Sequence, residues 1–317
     1  PTGDLGDAGL LVALFGKDLG GGVEESPGEG ARLRSGRVWL SSMGPRCHAR
    51  MIIVIITSSN RPGRTDAGSP RSVRLMETRV RLDVDGPIAT ITNDNVEKHN
   101  AFDDAMDARL FEILGELKAN PEVRAVIWRG EGRSWSSGRD VSAIGVPLTA
   151  DEHAALMRRG HDGIQQLWEL EAPVIVAIQG WAIGGSFQRA LLCDVRVAAE
   201  DARFMLPELG HGVIPDTGGM GVLYGMCGHG LVSDMVLTGR RLDAAEALRY
   251  GIVSRVVSND ELDATVREMA EKVAAADPGT VALARRVIGN LARPGIASSM
   301  AEERTFQTRL NQERGQT

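Results

Sequence analysis

The chain has only three cysteines in 317 residues, Cys47, Cys193 and Cys227. They are far apart and odd in number, which argues against a disulfide framework and a CxxC metal pair; a reducing, cytoplasmic compartment fits such usage. Long apolar runs are missing as well. Met51 to Ile56 (MIIVII) is the longest near the start, far short of the ~20 residues that span a bilayer, and no small-residue cleavage pattern makes a signal peptide of it. Positive charge is not in excess: the formal net charge is -6, so nucleic acid and anionic membranes meet no global attraction. A phosphate loop's GK[ST] is absent, and a dinucleotide fingerprint fails at Tyr224 in Gly219-Met220-Gly221-Val222-Leu223-Tyr224. The six histidines show neither HExxH nor a paired metal spacing, so each is read as solvated or packed and no metal is expected.

What remains is a composition ordinary for a globular protein, 43% hydrophobic and 25% charged, long enough for one large or two modest domains with a full core. Residues 1 to about 75 are rich in Gly, Ser, Pro and Arg with no sustained period, and read as a disordered or loosely attached extension. From Met76 the character changes. In TRVRLDVDGPIATIT, Val80, Leu82 and Val84 alternate with charged residues and Asp85-Gly86-Pro87 interrupts, which predicts strand, turn and strand. Phe102, Met106, Leu110, Phe111, Leu114 and Leu117 then share one helical face, which Asn120-Pro121 ends.

RAVIWR (124 to 129) reads as a buried strand, followed by the loop EGRSWSSGRD, a helix around 151 to 170, the strand PVIVAI, the segment IGGSFQRALLCD, the strand DVRVAA and, later, IVSRVV (252 to 257). Beyond that the pattern is helical, with Asp243-Ala-Ala-Glu246 resembling a capping box and Asp277-Pro278 a helix entry. The fold class is α/β with a helical tail, divided as an extension over 1–75, a core over 76–258 and a helical region over 259–317.

Two loops carry chemistry. Gly184 and Gly185 stand where a strand hands over to a helix. Glycines there either permit close packing or let a ligand approach unpaired amides at the positive end of a helix, where an oxyanion is stabilised. Ser134-Trp135-Ser136-Ser137-Gly138-Arg139-Asp140 also follows a buried strand. Together the two loops suggest N–H donors converging on one oxygen, with Trp128 and Trp135 as core or pocket wall. Gly184-Gly185-Ser186-Phe187-Gln188 falls one glycine short of a nucleophile elbow, which leaves a serine hydrolase built on Ser186 as a minor alternative.

The order of these segments resembles the enoyl-CoA hydratase/isomerase (crotonase) superfamily, through EKHNAF (97 to 102), VIWRGEGRSWSSGRD (126 to 140), residues 172 to 219 and LTGRRLDAAEALRYGIVSRVV (237 to 257). The resemblance covers about residues 77 to 317. It implies a crotonase-like spiral of ββα units with a C-terminal helical trimerisation region, trimers often pairing into hexamers, and an acyl-CoA substrate with no further cofactor. It also implies an oxyanion hole from the amides of Arg139 and Gly185. CoA contacts would fall at Lys98, Ser137 and Arg139, with Phe306 matching a position often lent to a neighbouring subunit's pocket.

The family's hydratases position and split water with two glutamates. The second is kept in Leu206-Pro207-Glu208; the first falls on Gln188. An amide cannot accept and return a proton at neutral pH. A single carboxylate suffices to move a proton between carbons, so the resemblance implies isomerisation of an enoyl-CoA double bond sooner than hydration, with Glu208 as the shuttle and Gln188 orienting the acyl chain or a water. Asp216 matches an aspartate that ring-modifying isomerases use; alternatively it caps the following helix. Hydration with altered acid/base residues, or acyl-CoA binding with little catalysis, are the competing expectations.

Overall fold

The computed structural model describes residues 79–143 and 148–315, together with one short antiparallel pair, Arg32–Leu33 (β1) and Gly36–Arg37 (β2). It divides into two units between residues 74 and 75. The extension expected over 1–75 otherwise lies outside the described residues, as does Cys47.

The second unit opens with a hairpin. Val80–Asp85 (β3) pairs antiparallel with Ile88–Asn93 (β4), Asp85 opposite Ile88. The two-residue connection begins at Gly86, φ 56°, as a II′ turn requires before Pro87. The alternation on β3 marks a sheet edge: Val80 is buried and Val84 is half exposed. Asp104–Lys118 (α1) follows, its N-cap Asp103 accepting from the Met106 amide. Phe102, expected on this helical face, instead precedes the cap and bridges Arg139 in a parallel pairing.

Ala125–Gly130 (β5), Val174–Ile178 (β6), Val195–Ala199 (β8) and Arg255–Val257 (β11) extend the sheet, ordered β11-β8-β6-β5-β4-β3 and parallel except at β3. Both faces are covered, as parallel strands require. Period two sorts the side chains: Val126, Trp128, Val176 and Ile178 join one core, whereas Ile127, Ile175, Ala177 and Val197 join another beneath Leu262–Ala275 (α6), through Leu262, Val266, Ala270 and Ala274. Thus α6, the first helix of the tail, seals the outer face of the sheet.

A second sheet is made of Trp181–Ile183 (β7), Arg203–Met205 (β9) and Leu242–Asp243 (β10). These strands are two or three residues long, too short for a periodic signal. In the units β6-β7-α3 and β8-β9-α4 the first strand joins the large sheet and the second the small one, giving the ββα spiral; α3 is Gly184–Leu192 and α4 is Gly219–Thr238. Ala150–Glu169 (α2) starts from a Thr149/Glu152 capping box, and Ala244–Arg249 (α5) from the expected Asp243/Glu246 box. Pro278–Gly315 (α7) begins where Asp277 accepts from the Thr280 amide.

One expectation about apolar length needs correction. Among the described residues α4 is long and apolar enough to cross a membrane by length and composition; its five glycines kept it from standing out as an apolar run. Its backbone is non-helical at Gly228, and Val222, Leu223, Leu231, Met235 and Val236 lie in the core of this unit.

Candidate active site

The site begins with two neighbouring strand exits. Ser136 pairs with Ala182 in a parallel bridge, with the Ser136 amide donating to Trp181 O at 2.9 Å and the Ile183 amide to Ser136 O at 3.1 Å. Three residues on from each partner stand Arg139 and Gly185. The Arg139 amide is directed by its other pairing. Phe102 takes both bonds, its amide to Gly138 O and its carbonyl from the Asp140 amide, each 2.8 Å, so the Arg139 N–H faces away from Phe102. The Gly185 amide is among the first four of α3, which have no partner inside the helix.

Glycine is required at two points here. Gly138 has φ 93°, and a Cβ would stand 2.7 Å from Ile183 O; Gly184 has φ 56°, and a Cβ would stand 3.3 Å from Glu208 Oε1. At Gly185 a Cβ would meet nothing within 4 Å. The close-packing reading of the glycine pair therefore holds at Gly184 and does not explain Gly185.

The Arg139 side chain turns aside. Its guanidinium pairs with Asp104 and, at 3.1 Å, with Asp107, which also meets Arg189 at 2.8 Å. Lys98 Nζ lies 2.6 Å from Asp140, whose carboxyl the Lys98 and Ser142 hydrogen bonds hold well below the usual range. Ser137 Oγ donates to Lys98 O at 3.0 Å. Lys98, Ser137 and Arg139 are thus contiguous. Behind them His99 and Asn100 both take positive φ; Asn100 is fully buried, accepting from the Asn95 amide and donating to Glu131 O and Ser134 O. Phe306 stands exposed on α7 beside buried Gln307.

Close to Gly184 lies the Glu208 carboxylate. Gln188, 1% exposed, accepts through Oε1 from the Thr217 amide at 2.9 Å and the Gly219 amide at 3.3 Å, and donates through Nε2 to Glu208 Oε1 at 2.9 Å. Its amide is therefore fixed as a donor toward Glu208. The other oxygen, Glu208 Oε2, is buried without a hydrogen-bond partner. Burial, reinforced by the like charge of Asp216, pushes the Glu208 carboxyl up to about 7 against the hydrogen bond from Gln188. Burial likewise raises Asp216 to about 6, against the pull of the Thr217 hydroxyl and the Arg189 and Arg139 guanidinium groups.

The helix-cap reading of Asp216 is corrected. The N-cap of α4 is Gly218, φ 83°, without a side-chain bond of its own, and the Asp216 carboxylate is met, among the described residues, by the Thr217 hydroxyl at 3.5 Å. The capping acceptor comes from far along the chain: Glu303 on α7, 3% exposed, takes the Gly218 amide at 2.7 Å. Gln307 takes the Ile214 amide at 3.0 Å, and His161 on α2 reaches the Asp216 carbonyl. Sequence reasoning missed these three. Ile296, Met300, Glu303 and Gln307 form a buried stripe at helical spacing, and polar members of such a stripe were the available signal.

The remaining candidates are structural. Ser186, 2% exposed, meets Ser136 Oγ at 2.7 Å, and no histidine bonds it among the described residues, so the serine-hydrolase alternative lacks its base. Trp128 and Trp135 are fully buried, edge to face at 5.3 Å, and belong to the core.

Comparison with known proteins agrees with this geometry. The enoyl-CoA hydratase/isomerase family model matches residues 83–316. A carnitinyl-CoA dehydratase of Salmonella typhi is 38% identical over 213 residues, 67% of this chain and 80% of the relative. Among solved structures, an enoyl-CoA hydratase/isomerase from Xanthobacter autotrophicus Py2 aligns with a TM-score of 0.69 at 29% identity, covering 73% of this chain and 87% of the other. An enoyl-CoA hydratase from Bacillus anthracis aligns at 0.64 and 29% identity, covering 71% and 90%. A spiral of ββα units, matched by the family model and by solved structures over most of its length, places this chain in the enoyl-CoA hydratase/isomerase family, the crotonase superfamily of acyl-CoA enzymes.

Proposed function

We propose that this enzyme isomerises the double bond of an enoyl-CoA by moving one proton through Glu208. The carrying observation is the asymmetry of that carboxylate: Oε1 is held by the Gln188 amide, while Oε2 is buried and unpartnered. With the thioester oxygen held by the Arg139 and Gly185 amides, negative charge gathers on oxygen as Oε2 takes a proton from one carbon. The resulting acid returns the proton two carbons away, and the double bond moves with no change of mass. A carboxyl raised to about 7 suits both halves near neutral pH. Lys98 and Ser137 are the groups for the CoA portion, which belongs to the substrate; no other cofactor takes part.

A second reading, dehydration of a 3-hydroxyacyl-CoA, has a specific observation in its favour. Asp216, raised to about 6, could protonate the leaving hydroxyl, and the relatives named carnitinyl-CoA dehydratase are 37 or 38% identical. Assembly into trimers or hexamers is part of the proposal, supported by Leu283, Val287, Ile288 and Leu291 of α7, each at least 60% exposed on the single chain.

The test offers purified protein a 3-enoyl-CoA, a 2-enoyl-CoA and a 3-hydroxyacyl-CoA, following conjugated-thioester absorbance and product mass. Isomerisation makes absorbance appear from the 3-enoyl-CoA at constant mass. Rapid loss of water from the 3-hydroxyacyl-CoA, with the 3-enoyl-CoA untouched, would overturn it in favour of dehydration.

A further inference from the structure

We infer that Glu303, on the C-terminal helix, is a positioning residue for the catalytic carboxylates, and that α7 thereby completes the active site from within its own chain. The inference rests on the proton-transfer reading of Glu208 and Asp216.

Residues 214–219 carry Asp216 and have no secondary structure of their own before Gly219. Five of its polar backbone groups are met by side chains from elsewhere, and the Gly218 carbonyl takes the Val222 amide of α4 at 3.2 Å. The Ile214 amide goes to Gln307 on α7, the Thr217 and Gly219 amides to Gln188 on α3, the Gly218 amide to Glu303 on α7, and the Asp216 carbonyl to His161 on α2. A loop held in this way has the geometry its side-chain anchors impose.

Among these anchors Glu303 occupies a particular place. Its Oε2 accepts from the Gly218 amide at 2.7 Å, and Ser299, one turn earlier, donates to Oε1 at 2.7 Å. The amides on either side of Gly218, those of Thr217 and Gly219, are the two that fix Gln188, and Gln188 fixes Glu208 Oε1. A displacement of Gly218 therefore passes to Gln188 and then to the Glu208 carboxylate, and it moves Asp216 directly. Packing keeps the contact close: a Cβ at Gly218 would stand 2.8 Å from Met300 Cγ, so α7 sits against the backbone there. Position, not a stored proton, is the role the hydrogen bonds assign; a neutral acceptor of the same shape would serve.

Two measurements test this, one independent of catalysis. In amide hydrogen exchange, Glu303→Ala is expected to raise exchange at least tenfold in a peptide covering 212–222 and to leave β5 and β6 unchanged, whereas Glu303→Gln keeps wild-type protection. In the second, exchange of the C2 protons of a saturated acyl-CoA in D2O reports enolisation without requiring the natural acyl group. Glu303→Ala is expected to lower the maximal rate tenfold or more with less than a threefold change in KM, and Glu303→Gln to restore it to within about threefold. Val266→Ala, in the remote α6 core, matches the stability loss without the rate loss. Unchanged exchange over 212–222 in Glu303→Ala overturns the inference whatever the activity. So does a rate loss that Glu303→Gln fails to restore, or one that Val266→Ala reproduces. Absence of C2 exchange in the wild-type enzyme instead counts against the proton-transfer reading, and the amide measurement still decides the position of the loop.

Discussion

The two halves of the active site are built from different material. The proposed oxyanion half is backbone: the amides of Arg139 and Gly185, each three residues past the Ser136–Ala182 bridge and each preceded by a glycine with positive φ. The carboxylate half is side chain, Glu208 and Asp216 on segments anchored by Gln188, His161, Glu303 and Gln307 from three helices. A backbone donor tolerates any residue except proline at its own position but demands a particular conformation nearby. A side-chain base demands a particular residue, and its neighbours set its pKa.

The largest expected effect removes the base. Glu208→Gln keeps the volume but eliminates proton acceptance, and C2-proton exchange should fall by roughly 10³-fold, within the range for a positioned general base. Stability should move the other way. A carboxyl whose folded pKa is raised from 4.5 to about 7 stabilises the fold fully below the unfolded pKa and loses that contribution as pH rises through 7. The variant should therefore melt above the wild-type temperature at pH 8 and match it near pH 4.5. Equal melting temperatures at both pH values would show that Glu208 is ionised without penalty.

Next comes the backbone half. Gly138→Ala places a methyl 2.7 Å from Ile183 O at φ 93°, so the loop must shift, and the Arg139 amide with it. Losing one oxyanion donor costs on the order of 10²-fold or more in rate, and the strained conformation about 1–3 kcal/mol of stability. Wild-type turnover in this variant would disconnect the 134–140 loop from catalysis.

The same contrast explains what could be read from the sequence. Glycines at 138, 184 and 185, the Leu206-Pro207-Glu208 segment and the buried strands β5, β6 and β8 are local patterns, visible in a few residues, and so were the α5 and α7 entries. The strands β7, β9 and β10 were not, because two or three residues cannot show a period. Phe102 looked helical because apolar spacing alone does not mark where Asp103 caps the helix. A helix cap was one of two readings of Asp216 because Asp is favoured before a helix; the acceptor at Gly218 comes from Glu303, 85 residues later, a pairing that only tertiary structure reveals.

A smaller effect sharpens the reading of Gln188. Gln188→Glu would set a carboxylate oxygen 2.9 Å from Glu208 Oε1 in place of the donating Nε2. Two carboxylates at that distance share a proton, and the second ionisation of the pair moves up. The rise of activity with pH, expected near the raised Glu208 pKa of about 7 in the wild-type enzyme, should then move up, and hydration of a 2-enoyl-CoA should appear or increase as the second acid/base group is supplied. An unshifted profile would mean that Gln188 does not set the environment of Glu208.

The smallest effect is expected at the residue that most resembles a nucleophile. Ser186 sits beside the Gly185 amide, yet its hydroxyl is buried against Ser136 Oγ, itself 2.6 Å from Asn100 O. That chain ties α3 to the 95–102 turn beneath the oxyanion loop, so Ser186→Ala removes one buried neutral hydrogen bond, costing about 1 kcal/mol. Because Ser136 keeps its acceptor at Asn100, the register with Ala182 and the position of both amides should persist, and turnover should stay within about threefold of wild type. A loss of a hundredfold or more at unchanged melting temperature would make Ser186 a participant in the chemistry, and the oxyanion half would then depend on a side chain as the carboxylate half does.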